Sequence, residues 1–254
     1  MKIMKSFKLT KTLYSFIFVL IFWYLLHISV KTAAIPSPYE TIVNFVEIFP
    51  QKLSLHLGAS MGRVFLALGI SIVLGSMIGI WTGISPKADS MISPLVYLLY
   101  PIPKIAFLPI LMILFGLGDL PKILLIVIII IFQFTMAARD GVKEIPRELT
   151  YSVKSLGLTK PQMYLHLVIP AILPKIITTA RISLGAAVSV LFFAENFATT
   201  YGIGYFIMNQ WAMVNYKEMF SGILALSLAG FVIFLIIDLI ENIVCKWVQQ
   251  GRQE

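Results

Sequence analysis

Pro121-Lys122-Ile123-Leu124-Leu125-Ile126-Val127-Ile128-Ile129-Ile130-Ile131-Phe132-Gln133-Phe134-Thr135-Met136-Ala137-Ala138 contains ten consecutive aliphatic or aromatic side chains, Ile123 to Phe132. The run approaches the roughly 20 residues a helix needs to cross the hydrocarbon core of a bilayer. Five further segments are of the same kind: Leu13 to Val30, Ser60 to Ile84, Met91 to Leu117, Ile176 to Thr199 and Phe220 to Val244. Of the 254 residues, 59% are hydrophobic and only 13% are charged, against about a quarter charged in soluble domains. The lipid bilayer is therefore the solvent for most of the chain. The expected fold is all-α, six transmembrane helices filling residues 13–244, with short tails at 1–12 and 245–254.

The formal net charge of +8 follows from topology, so no nucleic-acid partner is inferred from it. Six spans place both termini on one side. With the N-terminus inside, Lys87, then Arg139, Lys143, Arg147, Lys154, Lys160 and Lys175, then Lys246 and Arg252 all fall on the inside, where positive charge collects. The segments Gly118 to Leu120 and Asn196 to Met219 are poorer in Lys and Arg. Lys2, Lys5, Lys8 and Lys11 ahead of the first apolar run, with Ala33 and Ala34 after it, imitate a secretory signal. The run is longer than a signal core and five more spans follow, so an uncleaved first span is expected.

The longest inside segment, residues 139–174, is too long for a simple turn and too short for an enzyme. Thr159-Lys160-Pro161-Gln162 reads as a helix start, with Thr159 as cap, Gln162 completing a capping box and Pro161 in the first turn. Gly157 supplies the left-handed turn between two short helices, and Pro170 and Pro174 are expected to end the second. Tyr151, Val153, Leu156, Leu158 and Met163 make the pair more apolar than an uncovered loop requires; they lie either on the protein's own span ends or against another chain.

Tyr151-Ser152-Val153-Lys154-Ser155-Leu156-Gly157, nine residues, then Leu167-Val168-Ile169-Pro170 resembles the cytoplasmic signature of ABC-importer permeases, written E-A-A-x-x-x-G-x9-I-x-L-P. The glycine-to-proline spacing fits; Tyr151, Ser152 and Val153 replace Glu-Ala-Ala, so no role of that carboxylate carries over. Tyr100-Pro101-Ile102-Pro103-Lys104-Ile105-Ala106-Phe107-Leu108-Pro109, Phe115-Gly116-Leu117-Gly118, Asp140-Gly141-Val142, Ala194-Glu195 and Gly202-Ile203-Gly204-Tyr205 extend the likeness to the nitrate, sulfonate and taurine permease branch, over about residues 63–241. The resemblance implies that Tyr151 to Leu158 and Pro170 form a coupling helix pair between spans four and five. Separate ATPase subunits would seat there, holding ATP and magnesium. It also implies a second permease copy, a homodimer or a near-twin pair, and an extracytoplasmic solute-binding protein.

No Gly-Lys dipeptide and hence no phosphate loop occurs, so ATP chemistry is expected in a partner and no cofactor in this chain. His27, His56 and His166 stand alone and Cys245 is the single cysteine; they are read as structural, with no metal site. Pro94, Pro101, Pro103 and Pro109 interrupt the third span, and irregular backbone at membrane depth belongs against protein or a water-filled path. Tyr100 to Pro109, with Pro101 and Pro103, are therefore expected either to border the translocation route or to mark packing kinks. Ionisable residues in spans cost roughly 3 kcal/mol on insertion scales. Lys104 and Arg181 read as anion-attracting or as snorkelling residues. Glu195, with Asn196 and Gln133, reads as lining the pore or as buried at a helix interface. Gly69, Gly75 and Gly79, with Gly185 and Ala186, permit close helix approach. A secondary transporter driven by an ion gradient is the alternative; it would show paired repeats with matching broken helices, and only one span is clearly broken. A membrane enzyme would need clustered acids or histidines, which are too sparse.

Overall fold

The computed structural model describes residues 2–247, with side chains from 14 onward. The side chains of Lys2, Lys5, Lys8 and Lys11 and the tail at 248–254, Arg252 included, lie outside the described residues. Within them the chain is helical and contains no strand.

The first helix, α1 (Lys2–Val30), meets the rest near its end. Trp23 stacks on Phe220 at 5.7 Å and donates to the Pro36 carbonyl, while His27 Nδ1 donates to the Ile35 carbonyl. The next, α2 (Pro38–Ile48), is started by Ser37: Glu40 N–H donates to Ser37 Oγ and Ser37 N–H to the Glu40 carboxylate, which satisfies two of the orphan donors of a helix start. Pro50 lacks an N–H, and the chain widens into a π-helical turn at Phe49–Leu53 before α3 (Ser54–Ile84). Span two is thus part of a helical rod of 47 residues, Pro38–Ile84. Ser85 ends it and caps α4 (Pro86–Leu99).

The expected third span is two helices. Between α4 and α5 (Leu108–Phe115) lie Tyr100 to Pro103 and a short 3-10 turn, Lys104–Phe107, and the two arms meet at 88°. The break is confined to residues 100–103. Pro94 lies inside α4 and Pro109 in the first turn of α5, where a missing N–H costs nothing.

Next comes α6 (Asp119–Lys143), the central helix. Ile126, Ile130, Phe134 and Ala138 are fully enclosed between Val64, Ala67 and Leu68 of α3 and the later helix α9. The short α7 (Arg147–Ser155) and α8 (Lys160–Met163) flank Gly157. From Lys160 the helix continues without interruption through a π-helical turn, Tyr164–Val168, into α9 (Ile169–Ala194), 35 residues in all. Pro170 and Pro174 therefore do not end the second loop helix. The wide turn relieves the clash of the Pro170 ring with the preceding turn, and Pro174 is absorbed inside α9. The last elements are α10 (Ile203–Ala212), unforeseen in the 196–219 segment, and α11 (Tyr216–Val244).

Four helical stretches are long and apolar enough to cross a membrane, or five with the bent pair; the apolar part of α1, Tyr14–Val30, is shorter. In the most apolar stretch of α6, 44% of residues are buried, against 11% in α11. The wall formed by α11 therefore faces lipid or another chain.

The α3–α6 seam is set by missing side chains. A Cβ on Gly75 would stand 2.7 Å from Phe134 Cβ and 2.8 Å from the Ile131 carbonyl, and one on Gly83 would stand 2.6 Å from Val142 Cβ; Gly79 is equally tight against Thr135 and Ala138. Without a hydrophobic drive between helices in lipid, such close backbone approach is what holds them. Gly69 and Gly185 have open space beside them and take no part.

Candidate functional site

A cleft of about 440 Å³ opens where the α4–α5 pair is broken, lined by Tyr100, Lys104 and Ile105 of the break, Ile129 and Gln133 of α6, and Ser189 and Phe193 of α9. Pro101 and Pro103 remove two backbone donors here. What remains is closed locally by Ala106 N–H on the Pro103 carbonyl at 3.0 Å. Lys104 Nζ donates to the Tyr100 carbonyl at 2.9 Å and lies 5.4 Å and 5.0 Å from the ring centres of Tyr100 and Phe132. Among the described residues no carboxylate pairs with it, so its charge is offset only by a carbonyl and two ring faces. The Gln133 side chain accepts from Ser183 Oγ at 2.5 Å.

The sequence-predicted pathway residues divide. Tyr100, Lys104 and Gln133 come together at this cleft; Pro101 and Pro103 belong to the break but do not line it. Glu195, Asn196 and Arg181 are elsewhere. Asn196 is exposed in the turn after α9.

Glu195 is fully enclosed and caps α9. Its carboxylate accepts from Ser60 Oγ at 2.7 Å, Arg63 Nη1 and Gly204 N–H at 2.7 Å. Arg63 is only 6% exposed and also donates to Asp119, at 2.8 Å, and to the Tyr201 carbonyl. Gly202 lies flat on the carboxylate, where a Cβ would stand 2.5 Å from Glu195 Cδ. Close approach, rather than backbone conformation, excludes a side chain there. Nearby, His56 Nδ1 accepts from Gly202 N–H, and Lys122, 1% exposed, donates to the Gly118 and Ala198 carbonyls. Desolvation makes each buried charge costly, and the density of donors around Glu195 offsets that cost.

Arg181 does not share an environment with Glu195, although both belong to α9. It pairs with Asp238 at 2.5 Å and with Glu241, both on α11, and lies over the Phe234 ring. These carboxylates are 57 and 60 residues away in sequence.

The opposite end of the bundle carries the 139–174 segment. None of α7 is buried; Tyr151 is 63% and Leu156 77% exposed, and Ser152, Lys154 and Ser155 are exposed beside them, with Val153 and Leu158 half-buried. Ser152 and Ser155 hydroxyls turn back onto the Glu148 and Tyr151 carbonyls. Gly157 has φ of +73° and closes α7 with its N–H on the Lys154 carbonyl, the left-handed helix stop. Thr159 N–H and its hydroxyl both bond Gln162 Oε1. Pro170 stands half-buried in the first turn of α9.

A bundle of long apolar helices, one pair of them broken beside a cleft, defines a polytopic helical membrane protein. The family described as the binding-protein-dependent transport system inner membrane component matches residues 71–250, and the chain belongs to it: it is the permease subunit of an ABC importer, an inner-membrane multi-pass protein. It is similar to the taurine transport system permease protein TauC of Escherichia coli, 31% identical, covering 84% of this chain and 80% of that one. It is also similar to the formylaminopyrimidine transport permease protein ThiX of Halalkalibacterium halodurans, 28% identical over 84% and 85%. A third relative is the aliphatic sulfonates transport permease protein SsuC of Bacillus subtilis, given as putative in its name, 29% identical over 86% and 79%. In fold it resembles the inward-facing MetNI methionine ABC transporter, TM-score 0.63, 18% identical, covering 74% of this chain and 94% of that one. A bacterial alginate ABC importer gives TM-score 0.60, 15% identity and 95% and 99% coverage.

Proposed function

We propose that this chain forms half of the channel of an importer for a small anionic or zwitterionic solute, and that a separate ATPase, holding ATP and magnesium, drives it by seating on α7, Gly157 and α8. The observation that carries this is the uncovered loop: Tyr151 on α7 and Leu156 at its cap are exposed beside a left-handed glycine, and exposed apolar surface of that kind marks an interaction site. Six crossings, counting α1 and the bent pair, would keep this loop and both termini on one side, and the distribution of Lys and Arg supports the cytoplasm as that side. A second copy covers the open side of the bundle, and a solute-binding protein delivers the solute to the Glu195 end. ATP closure at the loop and hydrolysis alternate the access of the cleft.

Lys104, charged and without a carboxylate partner, supports an anionic group in the solute. Taurine and aliphatic sulfonates, named for the relatives, have such a group; formylaminopyrimidine, named for ThiX, does not, so the cleft favours the former. The ion-gradient alternative has no support in the family. Reconstitution with an ATPase and a binding protein tests the reading: ATP-dependent uptake of labelled taurine or an alkanesulfonate is expected, abolished by Leu156→Asp. Uptake driven by an ion gradient without ATP, and insensitive to Leu156→Asp, would overturn it.

A further inference from the structure

The two arms of the broken helix are fastened to α6 by different means. Leu108 and Leu111 of α5 pack with Leu125 in the half of α6 nearest Asp119. At the other end of α6 the fastening to α4 is polar. Asp89, Ser93 and Tyr97 stand four residues apart and so share one face of α4; Arg139 and Lys143 share one face of α6. Arg139 Nη1 donates to Ser93 Oγ at 2.7 Å and Nη2 to the Tyr97 hydroxyl at 3.3 Å; Nη1 is 3.7 Å from Asp89, and the guanidinium lies over the Tyr97 ring. Ser93 Oγ in turn donates to Asp89, which Lys143 also contacts at 2.6 Å. Nε of Arg139 donates to Asp140 at 2.9 Å. Every guanidinium nitrogen is engaged, and Arg139 is only 8% exposed. The opposite face of α4, with Met91, Leu95 and Leu98, is open.

We propose that Arg139 is a positioning residue for transport: through Asp89, Ser93 and Tyr97 it binds α4 to the end of α6 that leads into α7, so that force arriving at the loop reaches the Tyr100–Pro103 bend. Residues 144–146 are all that separates that end of α6 from α7, and Lys175 of α9 pins Glu144 beside it at 2.5 Å. The bend is one wall of the Lys104 cleft, so rotating α4 about it while α5 stays packed on the far half of α6 changes the width of that cleft. This rests on the coupling role proposed for the loop.

The test uses the permease with its ATPase in nanodiscs, with spin labels at Leu98→Cys and Ile113→Cys, exposed sites on either arm, in a Cys245→Ser background. Vanadate trapping is expected to shift the Leu98–Ile113 distance in the otherwise native protein. In Arg139→Gln the shift is expected to be lost while ATP turnover stays within about two-fold. Arg139→Lys, which keeps the charge but not the fork, is expected to restore it only in part. Should Arg139→Gln not assemble, Ser93→Ala with Tyr97→Phe loosens the same strap while leaving the charges paired. A shift abolished by Leu156→Asp but intact in both strap variants overturns the proposal and leaves the coupling role standing. No shift in the native protein also overturns it. A shift indifferent to Leu156→Asp removes the coupling role and this proposal together.

Discussion

Replacing Arg63 with Gln asks more of the structure than replacing Glu195 with Gln, although the two form one ion pair. Glu195 is fully buried and Arg63 is its sole ion-pair partner among the described residues; Arg63 has a second carboxylate, Asp119, at 2.6 Å on a side chain that is 64% exposed. Arg63→Gln therefore leaves an enclosed carboxylate with only neutral donors. Leaving a buried charge without its partner costs about 3–5 kcal/mol. Glu195→Gln keeps the Ser60 donor satisfied and leaves Arg63 on Asp119, so its cost is about 1–3 kcal/mol, the order of one buried, charge-assisted hydrogen bond. At roughly 2–4 °C per kcal/mol for a chain of this size, Arg63→Gln is expected to lower Tm by an amount on the order of 10 °C, and Glu195→Gln by about half as much. Thermal unfolding in detergent, followed by size-exclusion fluorescence, reads both, and the double variant should cost less than the sum. Equal losses, or a larger loss for Glu195→Gln, would refute the reasoning, because Arg63 keeps Asp119 and the Tyr201 carbonyl whereas Glu195 has no second cation among the described residues.

Gly75→Leu, which overpacks the α3–α6 seam, is expected to cost about 1–3 kcal/mol or more, whereas Gly69→Ala, facing open space, should leave Tm within experimental error or raise it; thermal unfolding of the isolated chain checks both. Gly157→Val meets no neighbour and pays only for its left-handed backbone, about 1–2 kcal/mol, so ATP-dependent uptake should fall without loss of membrane insertion, and Gly157→Asn should retain more activity than Gly157→Val. Lys104→Gln should raise the half-saturating concentration for an anionic solute in uptake assays and lower Tm only slightly, since among the described residues the lysine holds a carbonyl and two ring faces but no carboxylate. Arg181→Ala leaves Asp238 and Glu241 without their cation and uncovers the Phe234 ring, and a Tm lower by a few degrees is expected in the same unfolding assay.

Hydropathy made the helices legible because lipid demands long apolar runs, and the loop was legible because glycine and a capping box are local chemistry. Gly157, Thr159 and Gln162 adopt the roles their types dictate. Pro170 and Pro174 were misleading as stop signals: a π-helical turn, invisible to residue spacing, lets the helix run on from Lys160 to Ala194. The pairing of charges was the least legible part. Arg63 and Glu195 are 132 residues apart, so no spacing rule links them, and Arg181 is met by Asp238 and Glu241 of α11, which its own helix does not announce. A signal did exist in single residues: Arg63 and Lys122 sit within apolar runs, where a charge has to be met by protein. The α10 helix was hidden because its buried face, Ile203, Phe206 and Ile207, is interleaved with glycine and amides.

The three notches at Gly75, Gly79 and Gly83 let α3 and α6 mesh like a key in its slot, with no slack for one to turn against the other. Bending within this chain would then fall at its interruptions: the corner at Tyr100–Pro103 and the over-wide coils at Phe49–Leu53 and Tyr164–Val168. Rigidity in the middle decides where the joints are.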